Sequence, residues 1–169
     1  VSLSLPTYDQ VLELPAQVDR VVPQEFIDVN GHMNIGRYLE IGGSALWLRC
    51  QEDLAMTDDY ISSRAMSTFT AEHHLTYYAE ILEGEEVSAH VRLVERSDKV
   101  LHTVTLIANR TRGQLACVLE ATLVHMDMST RRPTPFPDDV AELIDAGLKS
   151  DDLPWLPPLC GAMGVRRRS

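Results

Sequence analysis

Asp28, Asn30, His32 and Asn34 stand at alternate positions, with Gly31 between two of them, immediately ahead of a long helical pattern. A carboxylate and an imidazole are thereby set beside a helix N-terminus. There, unpaired backbone N–H groups and the helix dipole favour developing negative charge. Acyl transfer needs that combination: a base or nucleophile, and donors aimed at a carbonyl oxygen becoming an oxyanion. On spacing alone the same residues also read as an Asx-rich turn that caps a helix. Other chemistries fare worse. His73 and His74 adjoin on a strand, so their side chains point to opposite faces, and no H-x-E or H-E-x-x-H pattern is present. No metal site is expected. Gly42-Gly43-Ser44-Ala45-Leu46 fails the G-x-S-x-G elbow of serine hydrolases and lies within a helical pattern.

The elements that must hold this cluster are an apolar stretch around Val18–Phe26 before it and a helix from Ile35 to about Asp53 after it. Ile35, Tyr38, Leu39, Gly42, Ala45, Leu46 and Arg49 recur at three- and four-residue spacing. Asn34 is the expected N-cap, although Arg37 stands where a capping box would place Glu or Gln. The Gly42-Gly43 pair, costly in a helix, is expected to admit a closely wrapped sheet. A loop over Met56–Arg64 leads to period-two segments at Thr68–Tyr77, Glu85–Glu95, Val100–Asn109 and Gln114–Met126, joined by short turns. A Pro-rich stretch precedes a short amphipathic helix, Asp138–Lys149, and an irregular tail containing Trp155. One long helix must bury its apolar face, and the antiparallel strands are its only large partner. The pattern therefore reaches an α+β class with a curved sheet around one central helix, without requiring that closure uniquely.

The run D-V-N-G-H-M-N-I-G-R-Y-L, Asp28 to Leu39, resembles the signature of the 4-hydroxybenzoyl-CoA-thioesterase-like hotdog family. Glu72-x-His74-Leu75-x-Tyr77, Gly84-Glu85 and the closing His125-Met126-Asp127 extend the resemblance, which covers roughly Val21 to Pro137. It implies the hotdog fold and hydrolysis of an acyl-CoA thioester without a cofactor. It makes Asp28 the catalytic carboxylate, acting as nucleophile or as base on water. The backbone N–H near Ile35 would polarise the thioester oxygen, Gly36 would let substrate approach, and His32 and Asn34 would orient Asp28, the turn or the water. Some members carry a His near the position of Ile35; its absence here puts a mechanism assisted by that His in doubt. The resemblance also implies a homo-oligomer, dimer or tetramer, with CoA at a subunit interface and Glu72 reaching across it. A narrower similarity, through Asn30–Leu39, Thr70–His74 and Leu123–Asp127, is to thioesterases of carnitine degradation, which act on betainyl-CoA. A quaternary ammonium would want aromatic faces and a carboxylate, for which Trp47, Tyr77, Tyr78 and Glu72 are candidates. Such aromatics equally serve as core.

Composition narrows the classes further. The 169 residues suit one domain over 1–169, with a core of about 18–127 and a C-terminal helix and tail over 133–169. A net charge of −10 opposes nucleic-acid binding, and Arg166-Arg167-Arg168 reads as a solvated basic tail. No apolar run is long enough for a membrane helix. The opening VSLSLPTYDQ lacks signal-peptide features, and Cys50, Cys117 and Cys160 suit a reducing compartment. A cytoplasmic protein is the expectation. Two other readings stay open: a hotdog hydratase or dehydratase, whose D-x-N-P-x-H the Asp28 motif approaches with Gly in place of Pro and a shorter gap, and a non-catalytic acyl-CoA-binding domain. A regulator would need a DNA-binding element, and no helix-turn-helix pattern is present.

Overall fold

The computed structural model describes residues 5–166. The residues of the basic tail beyond Arg166, like the first four of the chain, lie outside the described residues. Strands β1 (Ala16–Val21), β2 (Met66–Tyr77), β3 (Glu86–Arg96), β4 (Val100–Asn109) and β5 (Gln114–Asp127) form one antiparallel sheet in the order β1-β3-β4-β5-β2, and β6 (Arg132–Pro133) adds briefly to β5. Helix α2 (Ile35–Glu52) lies in the concavity of this sheet, the hotdog arrangement. Register slips at Thr70/Glu72, Leu93/Glu95 and Ile107/Ala108 are bulges, the device that lets a sheet curl.

The Gly42-Gly43 pair sits inside an unbroken helix. A Cβ on Gly42 would lie 2.9 Å from Leu119 Cδ2, so only glycine admits the β5 side chain at this distance; one on Gly43 would meet nothing. The close-packing expectation therefore holds for Gly42 alone. Below it, Ile41, Ala45, Leu46 and Cys50 meet Val87, Ala89, Val91, Leu93, Ile107 and Leu123 in the main core.

Three features depart from the sequence reading. The apolar stretch after Val18 is a strand only to Val21, followed by a short 3-10 turn at Gln24–Phe26. The expected loop over Met56–Arg64 contains helix α3 (Asp58–Arg64), capped by Thr57, whose hydroxyl accepts from the Tyr60 N–H, and stopped by Ala65 in the left-handed region at φ 53°. Helix α4 (Asp138–Ser150) runs one residue further than expected.

A further feature concerns the outer face of the sheet. Ser88, His90 and Arg92 alternate along β3 with the core residues Val87, Ala89 and Val91, and all three polar residues are buried as well. Both ends of the chain cover them. Helix α1 (Tyr8–Val11), Leu14 and Trp155 pack on Val104, Leu106 and Val118 in a second core. The cover also satisfies the polar groups. The His90 ring Nδ1 pairs with the Leu14 carbonyl at 2.8 Å, and Arg92 donates to the carbonyls of Asp151, Leu153 and Trp155 at 3.0, 3.3 and 2.8 Å. Trp155 also stacks on that guanidinium, 4.3 Å from ring centre to carbon, so the tail packs on its own domain.

Candidate active site

The loop between the 3-10 turn and α2 is a compact reversal. Ile27 and Met33 form an antiparallel bridge, the Asp28 N–H donates to the His32 carbonyl at 3.0 Å, and the Gly31 N–H returns to the Asp28 carbonyl at 3.0 Å. Gly31 takes φ +82°, the left-handed conformation glycine adopts without strain. One carboxylate oxygen of Asp28, Oδ1, accepts from the Asn30 N–H at 2.8 Å. The Asx turn expected from composition is thus present, and Asp28 Oδ2 has no protein partner among the described residues. Met33, fully buried, anchors the loop through its N–H to the Ile81 carbonyl, and the Asn34 N–H donates to Phe26 at 2.8 Å.

Asn34 is the N-cap of α2: its side-chain oxygen accepts from the Gly36 N–H at 2.9 Å. The Arg37 N–H donates to the Asn34 carbonyl at 2.9 Å, so no capping box forms. Just ahead of these two amides, the Ile35 N–H has no protein acceptor among the described residues. An unpaired amide at a helix start, positive by the helix dipole, is suited to a developing oxyanion.

Two cavities flank this helix start. One of 410 Å³ is lined by Glu25, Ile27, Asp28, Asn34, Gly36 and Glu40, with Arg37 at its wall. The other, 340 Å³, is lined by His32, Ile35, Tyr38, Tyr77, Tyr78 and Glu80. Asp28, Asn34 and Gly36 therefore share one hollow, and His32, Ile35 and Tyr77 share its neighbour. Tyr38 and Tyr77 meet edge to face with centroids 5.1 Å apart. Burial raises the Tyr38 phenol to about 12 and moves Tyr77 upward as well, so both stay neutral rings at physiological pH. The His32 ring lies along its own loop, Nδ1 3.2 Å from the Met33 carbonyl.

Two proposed residues stand apart. Trp47 is exposed on α2 twelve residues beyond Ile35, about 18 Å along the helix, and lines neither cavity. Glu72 lies on the outer face of β2 opposite Thr122, ion-paired with Arg166 at 2.6 Å. It reaches neither hollow within one chain. Tyr38 and Glu80, which do line the aromatic cavity, escape a linear reading. Tyr38 falls in the core periodicity of the helix, and Glu80 lies in the connection after β2. No thiol is placed for nucleophilic attack in either cavity, and burial pushes Cys50 and Cys117 up to about 12.

The family model described as thioesterase-like superfamily matches residues 21–144. Among curated proteins, the chain is 31% identical over 123 residues to an L-carnitine dehydrogenase/betainyl-CoA thioesterase of Ruegeria pomeroyi, covering 72% of this chain and 24% of that one. It is 26% identical over 122 residues to a betainyl-CoA thioesterase of Pseudomonas aeruginosa, covering 72% and 76%. The chain thus spans about a quarter of the dehydrogenase-named relatives it matches. Among solved structures, a Staphylococcus aureus protein in complex with CoA superposes with a TM-score of 0.79 at 22% identity, over 91% of this chain and 97% of that one. A 1,4-dihydroxy-2-naphthoyl-CoA thioesterase from Synechocystis superposes at 0.67 with 15% identity, over 76% and 93%. These likenesses establish the shared fold.

Proposed function

The chain belongs to the thioesterase-like superfamily, and from that premise we propose that it hydrolyses an acyl-CoA thioester to a carboxylic acid and CoA, with Asp28 at the reacting centre. The observation that carries this reading is the helix start: a carboxylate with one free oxygen on one side, and an unpaired Ile35 N–H on the other. A thioester carbonyl seated on that N–H gains stabilisation as its oxygen becomes negative. Asp28 either takes a proton from the attacking water or attacks the carbon itself. In the first route water forms the new C–O bond as the C–S bond breaks. In the second the Asp28 carboxylate forms it, and water then hydrolyses the resulting mixed anhydride to restore Asp28. In either case one water is consumed and the sulfur leaves with a proton as the CoA thiol. Gly36 leaves room beside the carbonyl, Asn34 fixes the amides, and His32 orients the turn.

The acyl group we propose is a small one bearing a quaternary ammonium, as in betainyl-CoA. Support comes from the names of the relatives and from the aromatic cavity, where Tyr38, Tyr77 and Tyr78 stand with the Glu80 carboxylate. A desolvated cation over such faces gains about 0.5–2 kcal/mol. We further propose a homodimer as the working unit. Ile35, Leu39 and Trp47 recur every four or eight residues along the open face of α2, at 66%, 39% and 41% exposure. β2 is in addition a twelve-residue edge strand with one neighbour, an edge that natural sheets cover. A partner on this side would bring its own residues to the two cavities, and Trp47 and Glu72 would contribute, if at all, in that setting.

The test is thiol release from acetyl-, butyryl-, octanoyl-, benzoyl- and betainyl-CoA, with wild type beside Asp28→Asn. Loss of the catalytic carboxylate is expected to lower the rate at least about 10²-fold with the circular dichroism unchanged. Betainyl-CoA is expected to exceed its uncharged tert-butylacetyl isostere by roughly tenfold, and Glu80→Gln to shrink that preference. If no thioester is cleaved, or Asp28→Asn is as fast as wild type, the mechanism is wrong and hydration of an enoyl-CoA is the next activity to assay. Equal rates on the charged and uncharged pair would remove the cationic substrate alone.

A further inference from the structure

On the outer face of the sheet, among residues that line neither cavity, three different elements bring together an imidazole, a carboxylate and a thiol. His74 comes from β2, Glu120 lies opposite it on β5, and Cys160 comes from the tail. Their ligand atoms all lie within 4.8 Å of one another. We propose that His74, Glu120 and Cys160 bind a divalent cation of the zinc class and thereby fasten the C-terminal tail to the sheet.

The donor set selects the metal. Nitrogen, oxygen and thiolate sulfur together suit zinc, whereas calcium and magnesium take oxygen ligands. Tetrahedral bonds of about 2.0–2.3 Å require ligand atoms roughly 3.3–3.8 Å apart, so closure asks for about 1 Å of movement from the exposed His74 and Cys160 side chains. The fixed member is Glu120, only 1% exposed.

The surroundings have the form of an outer shell. His102, also 1% exposed, holds Glu120 Oε1 through its Nε2 at 2.8 Å. The Cys160 N–H donates to Glu120 Oε2 at 2.7 Å, bringing the thiol to the carboxylate it would share a metal with. Thr76 Oγ1 pairs with His74 Nδ1 at 3.2 Å, which leaves Nε2 for a ligand bond. Ligating histidines and carboxylates are commonly oriented by such partners. Binding would release the Cys160 thiol proton to solvent and leave a fourth position for water. The ligands lie 46 and 40 residues apart, so no short metal motif announces them.

The experiment titrates the tag-free, reduced 169-residue chain with cobalt(II), followed by displacement with zinc. One ion per chain should produce a thiolate-to-cobalt charge-transfer band together with intense tetrahedral d–d bands. Cys160→Ser should abolish the first, and His74→Ala should weaken binding by at least the roughly 10–100-fold that outer-shell losses cost. Zinc should slow hydrogen exchange over residues 156–166 in wild type and not in Cys160→Ser. Both substitutions are at exposed positions, and Cys50 and Cys117 are buried, so the thiolate signal reports Cys160. Absence of the band, its survival in Cys160→Ser, full affinity in His74→Ala, or zinc-insensitive exchange in the tail overturns the proposal. None of these readouts depends on thioester cleavage.

Discussion

Two adjacent glycines in α2 do opposite things, and substitution separates them. Gly43→Ala meets open space and removes the helix cost of glycine, so it should raise stability by roughly 1 kcal/mol. Gly42→Ala should lack that gain, because its methyl is driven into Leu119 and overpacking costs about 1–3 kcal/mol. Denaturant titration of the two variants checks the pair. A second residue-scale outcome concerns pH. Burial lowers the pKa values of His90 and His125 from 6.5, in spite of ring contacts to backbone carbonyls that act the other way. With the folded value below the unfolded one, their contribution is complete above about pH 6.5 and is lost as the pH falls toward the folded values. Melting temperature should therefore decline as the pH falls below about 6.5, and His125→Gln should flatten part of the decline. At this scale much of the candidate site is legible in the sequence, because Asp28 to Gly36 are contiguous and their proposed roles rest on one loop and one helix start. Tyr38 and Glu80 are not, since a cavity wall is assembled from residues that neighbour each other only after β2 has crossed the helix.

The elements themselves follow from periodicity and capping with few surprises. The four long strands and α2 start and stop within two residues of their expected bounds, since alternation and the Asn34 cap carry strong local signals. Helix α3 had a signal too, Thr57 with Asp58 and Asp59 behind it, but seven residues hold too little periodicity to be recognised. Trp47 and Glu72 are not brought to the cavities by one chain, for a different reason. Residue type suggests binding, whereas reach depends on how far along a helix, and on which face of a strand, the side chain stands. The outer face of the sheet is the clearest limit: alternation in β3 does not reveal what covers its polar residues, and both chain ends supply carbonyls there, Leu14 to His90 and the tail to Arg92. Trp155→Ala should therefore cost about 3–5 kcal/mol, the usual loss for a buried tryptophan, and speed hydrogen exchange around Arg92. Loss of less than 1 kcal/mol would mean that the tail is not part of the cooperative unit.

At the scale of the molecule, the described surface is uneven. One side of the sheet is closed by the chain's own ends, whereas the open face of α2 and the β2 edge present apolar side chains and unpaired backbone. Association should use the open side. Leu39→Asp, placed in the middle of the Ile35–Trp47 stripe and outside both cavities, should shift sedimentation toward the monomer and lower kcat/KM together with it. A variant that stays dimeric, or a monomer with full activity, would separate assembly from catalysis.

The covered outer face also bears on when the molecule is finished during synthesis. Trp155 Nε1 donates to Glu13 at 3.4 Å, and Arg92 waits for carbonyls up to sixty-three residues downstream. Contacts of such long sequence separation close late, because the loop entropy must be met first. Until residue 155 leaves the ribosome, Arg92 keeps its water, and a hydrated guanidinium on that face makes it a poor template for aggregation. The guanidinium that the finished tail buries is thus a solvated group while the chain is still being made.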